Sequence, residues 1–171
     1  MSGDTEHREP SELFRYHAWA NDRTLAAFEG LGAELDEPAP GTTGTIRKTL
    51  GHLTLVEEGF LLGIEGRPPQ ALGDRERYLE HDPARYRERL AEAGRRYRHF
   101  LESADEAGLE CEQHVPHLGF TITARQALRQ VLVHSAHHRA QVLSWLGARG
   151  GTAPDLDYVL MLGEERGERR R

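Results

Sequence analysis

In the stretch VLVHSAHHRAQV, His134 and His138 stand four residues apart. On a helix that spacing stacks two imidazoles on one face, about 6 Å apart, close enough to share a metal ion. His137 is the rival partner for His134. At about 100° per residue, Ala127, Val131, His134, His138, Gln141, Val142 and Trp145 fall on one face. His138 lies inside that stripe, His134 at its edge, and His137 about 60° from His134 on the outer side. A ligand in a helix bundle must point inward, so His134 and His138 are the metal candidates. The pair alone does not specify a metal, because helices carry such pairs by chance. A buried imidazole nitrogen left without a partner costs about 1–3 kcal/mol, and a metal is one way to satisfy it.

A third ligand must come from another helix. His52, at the edge of the apolar face of the second helical segment, is the natural candidate, with His17 in the first as runner-up. His81, His99, His114 and His117 fall on charged or loop segments. Glu57 is the acid on the inner face of the second helix, a candidate general base or a buried ion-pair partner. Arg139, beside the inner face of the fourth, can serve as that partner. An unpaired buried charge is strongly unfavourable, so the two are expected to meet or to share a polar network. Cys111, between Glu110 and Glu112, has no internal disulfide partner, and its acidic neighbours disfavour the thiolate.

The elements that position these groups read as helices. The chain has 171 residues, 37% hydrophobic and 29% charged, which suits one globular domain. Its net charge of −6 argues against a nucleic-acid partner. No apolar run approaches the roughly 20 residues of a membrane span, and MSGDTEHREP has no signal-peptide core, so a cytoplasmic protein is expected. Apolar residues recur at helical steps over 11–30, 45–64, 83–107 and 123–147. Ser11, Thr45 and Thr123 are the expected caps, the last as a capping box with Gln126. Pro83 suits a first helical turn. Residues 109–122 read as a small extended turn or nothing regular, and 156–162 as a short docked helix. The expected architecture is an all-α four-helix bundle over 11–163, with flexible tails at 1–10 and 164–171. The second and third connections are long enough for a crossover.

Three segments resemble the DinB/YfiT-like family. LFRYHAWANDRTLAAFEGL is similar to that family's first helix, and TIRKTLGHLTLVEEGFL to its second, whose His-Leu supplies a metal ligand. HSAHHRAQVLSWLGARGGTAPDLDYVLML resembles its closing helix and Asp-Tyr tail, with Ala140 where the family commonly has Gly. The resemblance implies a bundle with a crossover connection, usually paired as a homodimer. It also implies ligands at His52, His134 and His138 for a divalent ion, zinc or nickel, with open positions. Characterised relatives use such a site for low-molecular-weight thiol transfer. The expected function is therefore a metal-dependent thiol S-transferase or detoxifying enzyme acting on a small molecule. The alternatives are a stress-associated metal- or small-molecule-binding protein without turnover and a metal-dependent hydrolase.

Overall fold

The structure, a computed structural model, describes residues 8–74, 76–116 and 118–167. His117 and the outer parts of both expected tails lie outside them. Helix α1 (Arg8–Ala26) already includes the three residues before Ser11, with Pro10 in the first turn of the described helix, so Ser11 is not its cap. A proline is tolerated there because first-turn amides have no helical acceptor. Helix α2 (Ile46–Ile64) is capped by Thr45, whose hydroxyl accepts the Lys48 amide at 3.2 Å. Helix α3 (Pro83–Ser103) is capped by Asp82, which accepts the Arg85 amide at 2.8 Å. It stops four residues short of expectation, and Asp105 caps a separate turn, α4 (Glu106–Leu109). Helix α5 (Ala124–Ala148) opens on the expected capping box. The Gln126 amide donates to the Thr123 hydroxyl, and the Thr123 amide donates to Gln126 Oε1.

The connections carry two antiparallel ribbons, β1 (Pro38–Ala39) with β2 (Gly44–Thr45) and β3 (Glu112–Val115) with β4 (Phe120–Thr123). The second ribbon occupies the stretch expected to hold a small extended turn or nothing regular, and it is the first of these. Of its strand residues only Val115 is buried, so there was no alternating pattern to read. The last helix, α6 (Tyr158–Glu165), runs into the expected tail. It is held to α1 by Arg15–Glu165 at 3.0 Å, by the Trp19 indole donating to Glu164 at 3.0 Å, and by Arg23–Glu164.

Around the bundle α1 packs on α3, α3 on α2, α2 on α5 and α5 on α1, so α1 and α2 face each other across the diagonal. Arg87–Asp22 at 2.6 Å and the Phe14–Tyr97 ring contact at 4.8 Å make α1 and α3 antiparallel. Arg89–Glu58 at 2.6 Å and Arg96–Glu65 make α2 and α3 parallel. The segment 65–82 must therefore run back the length of the bundle, which locates the crossover in the second connection. It is an all-α bundle with two short ribbons.

Two apolar clusters fill the interior. One contains Leu25, Phe28, Leu50, Tyr86, Val142 and Trp145, the other Phe14, Leu61, Tyr97, Leu101, Leu128 and Val131. Gly51 is the point where the returning connection presses on α2. A Cβ there would run into the Tyr78 carbonyl and the Tyr86 hydroxyl. Gly147, near the end of α5, has open space around it and no positive φ. Gly51→Ala should cost about 1–3 kcal/mol through overpacking, whereas Gly147→Ala should gain up to about 1 kcal/mol. Urea denaturation midpoints of the two variants should move in opposite directions.

Candidate metal centre

Helix α2 contributes His52 and helix α5 contributes His134 and His138, one turn apart. Their rings meet where the two helices pack. His134 Nε2 lies 3.1 Å from His52 Nε2 and 3.1 Å from His138 Nε2. One ligand atom from each residue can be chosen so that all lie within 4.8 Å of one another. Among the described residues no other group of three histidines, cysteines or acids converges in this way. His52 and His134 are half-buried and His138 is buried. Burial disfavours the imidazolium, so all three pKa values fall below the usual histidine range. For His134, burial first and then His138 and His52 push the value down to about 4. His138 Nδ1 lies 2.7 Å from Gln141 Oε1, and the Gln141 amide donates to the Gly41 carbonyl at 2.6 Å. His134 Nδ1 is buried without a hydrogen-bond partner.

The donor set fits a small divalent cation. Two imidazole nitrogens each about 2.0–2.1 Å from one ion stand roughly 3 Å apart, the spacing found here. Metal ligation needs neutral imidazole, the form that burial favours. His137 is exposed, with its ring 5.2 Å from that of His138 and turned away from the convergence. His17, the runner-up third ligand, is also apart from it. His81 lies tilted against the rings of Tyr78 and Tyr86, while His99 and His114 are exposed.

His17 belongs to a second constellation, a buried polar layer tying α1, α2 and α5 together. Glu57, 1% exposed, accepts from Ser135 at 2.6 Å, from Asn21 at 3.0 and 3.2 Å, and from His17 Nε2 at 3.0 Å. Arg139, 3% exposed, donates to Asn21 Oδ1 at 2.7 Å and to His17 Nδ1 at 3.2 Å. A guanidinium has no lone pair to offer, so His17 Nδ1 accepts and its Nε2–H points at Glu57. The expected shared network is present, with Asn21 and His17 as bridges that pattern alone did not reveal. Burial by itself raises the Glu57 pKa. The hydrogen bonds from His17, Ser135 and Asn21 act against it, and the carboxyl is held below its usual range. Glu57 and Arg139 thus sit in a satisfied structural network one residue or one turn from the candidate ligands. Ser135 and Arg139 directly follow His134 and His138 in sequence.

This fold belongs to a known class. The chain is a member of the DinB family, whose model matches residues 1–170. No curated protein matches it. Among solved structures it is similar to YfiT from Bacillus subtilis, at 20% identity with a TM-score of 0.66 over 84% of this chain and 89% of that one. YfiT is described as "a probable metal-dependent hydrolase with an unusual four-helix bundle topology". At that identity the likeness is one of fold. Among the described residues, no helix is long and apolar enough to cross a membrane.

Two outcomes follow from this geometry. In Arg139→Met, Glu57 keeps its buried charge and loses the cation balancing it, which should cost about 3–5 kcal/mol. Adding Glu57→Gln should recover part of that loss, a coupling measurable by a double-mutant denaturation cycle. In the metal-free protein, the unfolded chain takes up protons at His52, His134 and His138 that the folded chain refuses. Stability should therefore fall as pH drops from about 6.5 towards about 4, and His134→Asn should flatten that slope. Urea titrations in the presence of a chelator, run across that window, check it.

Proposed function

We propose that this chain holds one divalent metal ion on His52, His134 and His138 and uses it to transfer a low-molecular-weight thiol to an electrophilic small molecule. The observation that carries the reading is the convergence of three neutral imidazoles, with His134 Nε2 3.1 Å from each of the other two. A borderline ion such as zinc or nickel suits an all-imidazole donor set. When bound, such an ion favours the thiolate form of a sulfur ligand and leaves positions open for one. The chain's own part is to keep three rings unprotonated, oriented and half-shielded from water. In the transfer a carbon–sulfur bond forms, the thiol proton is released, and any leaving group departs with its electron pair.

The description of YfiT as metal-dependent supports the metal half of this reading. The buried polar layer favours thiol transfer over hydrolysis. Glu57, the acid best placed by pattern to act as a hydrolytic base, is already engaged by Ser135, Asn21 and His17. Family resemblance is the ground for adding a cytoplasmic homodimer to the proposal.

Elemental analysis of purified protein should find one zinc or nickel per chain, none in His138→Ala, and one in His137→Ala. The loaded protein should consume bacillithiol, mycothiol or glutathione in the presence of a generic electrophile, and His138→Ala should not. Full metal occupancy without consumption of any of the three thiols would replace the transferase reading with binding alone. Metal retained by His138→Ala would remove that residue from the site.

A further inference from the structure

The surroundings of the outer ring nitrogens distinguish His138 from His134. A backbone carbonyl can only accept, so the Gln141 atom 2.6 Å from the Gly41 oxygen must be its amide nitrogen. The amide oxygen therefore faces His138 Nδ1 at 2.7 Å, and because that oxygen also only accepts, Nδ1 must carry the proton. His138 Nε2 is left as a bare lone pair directed at His134 Nε2, 3.1 Å away. His134 has no such support, since its Nδ1 is buried without a partner. In the metal-free chain its proton sits on Nε2, where it is donated across the cluster. His138 is thus preset as a ligand, whereas His134 must move a proton to Nδ1 before it can ligate.

The anchor of that support lies outside the two ligand helices. Gly41 lies in the loop between β1 and β2 with φ +81°, a left-handed conformation that favours glycine and turns the carbonyl towards α5. We infer that Gln141 is a positioning residue that, anchored on the Gly41 carbonyl, fixes His138 in its Nδ1–H tautomer and presents Nε2 to the cluster. The inference rests on the metal-binding reading for its consequence, although not for its geometry. Partners of this kind behind metal-ligating histidines typically account for about 10–100-fold in metal affinity.

Gln141→Met keeps the length of the side chain and removes both its donor and its acceptor, while Gln141→Glu keeps an acceptor for His138 and loses the donor to the Gly41 carbonyl. Imidazole 15N shifts of chelator-treated protein read the tautomer, and competition with a chromophoric chelator reads zinc affinity. The wild type and Q141E should show His138 protonated on Nδ1, and Q141M should show it shifted towards Nε2–H. Zinc affinity should fall about 10–100-fold in Q141M and by less in Q141E, which loses the Gly41 anchor but keeps the acceptor. An Nδ1–H His138 with wild-type zinc affinity in Q141M would overturn the inference. A wild-type protein that shows the expected tautomer and takes up no zinc would overturn the metal-binding reading and leave the positioning role standing.

Discussion

Much of the arrangement depends on one constraint: a carboxylate and a guanidinium both removed from water and not in direct contact. Glu57 and Arg139 are joined only through His17 and Asn21, so neither charge is tolerable unless both bridges are present. Satisfying them fixes α1, α2 and α5 in rotation and in height. An apolar interface tolerates small slides because dispersion contacts are many and non-directional. A layer of directed hydrogen bonds does not, since a shift of an ångström breaks several of them.

That rigidity is passed on to the histidines by covalent proximity. Ser135 and Arg139, which engage the buried layer, are the sequence neighbours of His134 and His138, and Glu57 lies on the same helix as His52. The layer that sets the helices also sets the three imidazoles, so their convergence is a consequence of how Glu57 is satisfied. Burial then supplies the electrostatics by disfavouring the imidazolium at each ring. A site of this kind has its geometry and its neutral charge state prepared before any ligand arrives, with the His134 tautomer left to adjust. The cost is carried by the polar layer and the apolar clusters above and below it.

The crossover serves the same end. Because α2 and α3 are parallel, the segment between them must return along the bundle, and Gly51 lets it lie directly on α2. The return path frees α5 to pack beside α2, the pairing that brings His52 to His134 and His138. A simple up-down order would make α2 and α3 antiparallel neighbours and leave the position of α5 to a different compromise.

Much of this was legible in the amino-acid order because it is local. Helical periodicity, the capping box of Thr123 with Gln126, Thr45 as a cap and the i,i+4 placement of His134 and His138 on an inward face depend on residues within a few turns of each other. The same periodicity turned His137 outward and put Glu57 and Arg139 on inner faces. The ends of α1 and α3 differ from the expected ones, since Pro10 sits in a position that tolerates it, and the β3–β4 ribbon is legible only as one of two alternatives because only one strand residue is buried. Only the tertiary structure decided which groups would complete the site. Whether His52 or His17 joins the pair depends on the rotation of α1 and α2 about their axes, and His17 went to Glu57. That Asn21 bridges a buried ion pair, or that the Gly41 carbonyl reaches Gln141 a hundred residues away, follows from packing across the bundle. Such partners are chosen by distance in space, which periodicity along one chain does not encode.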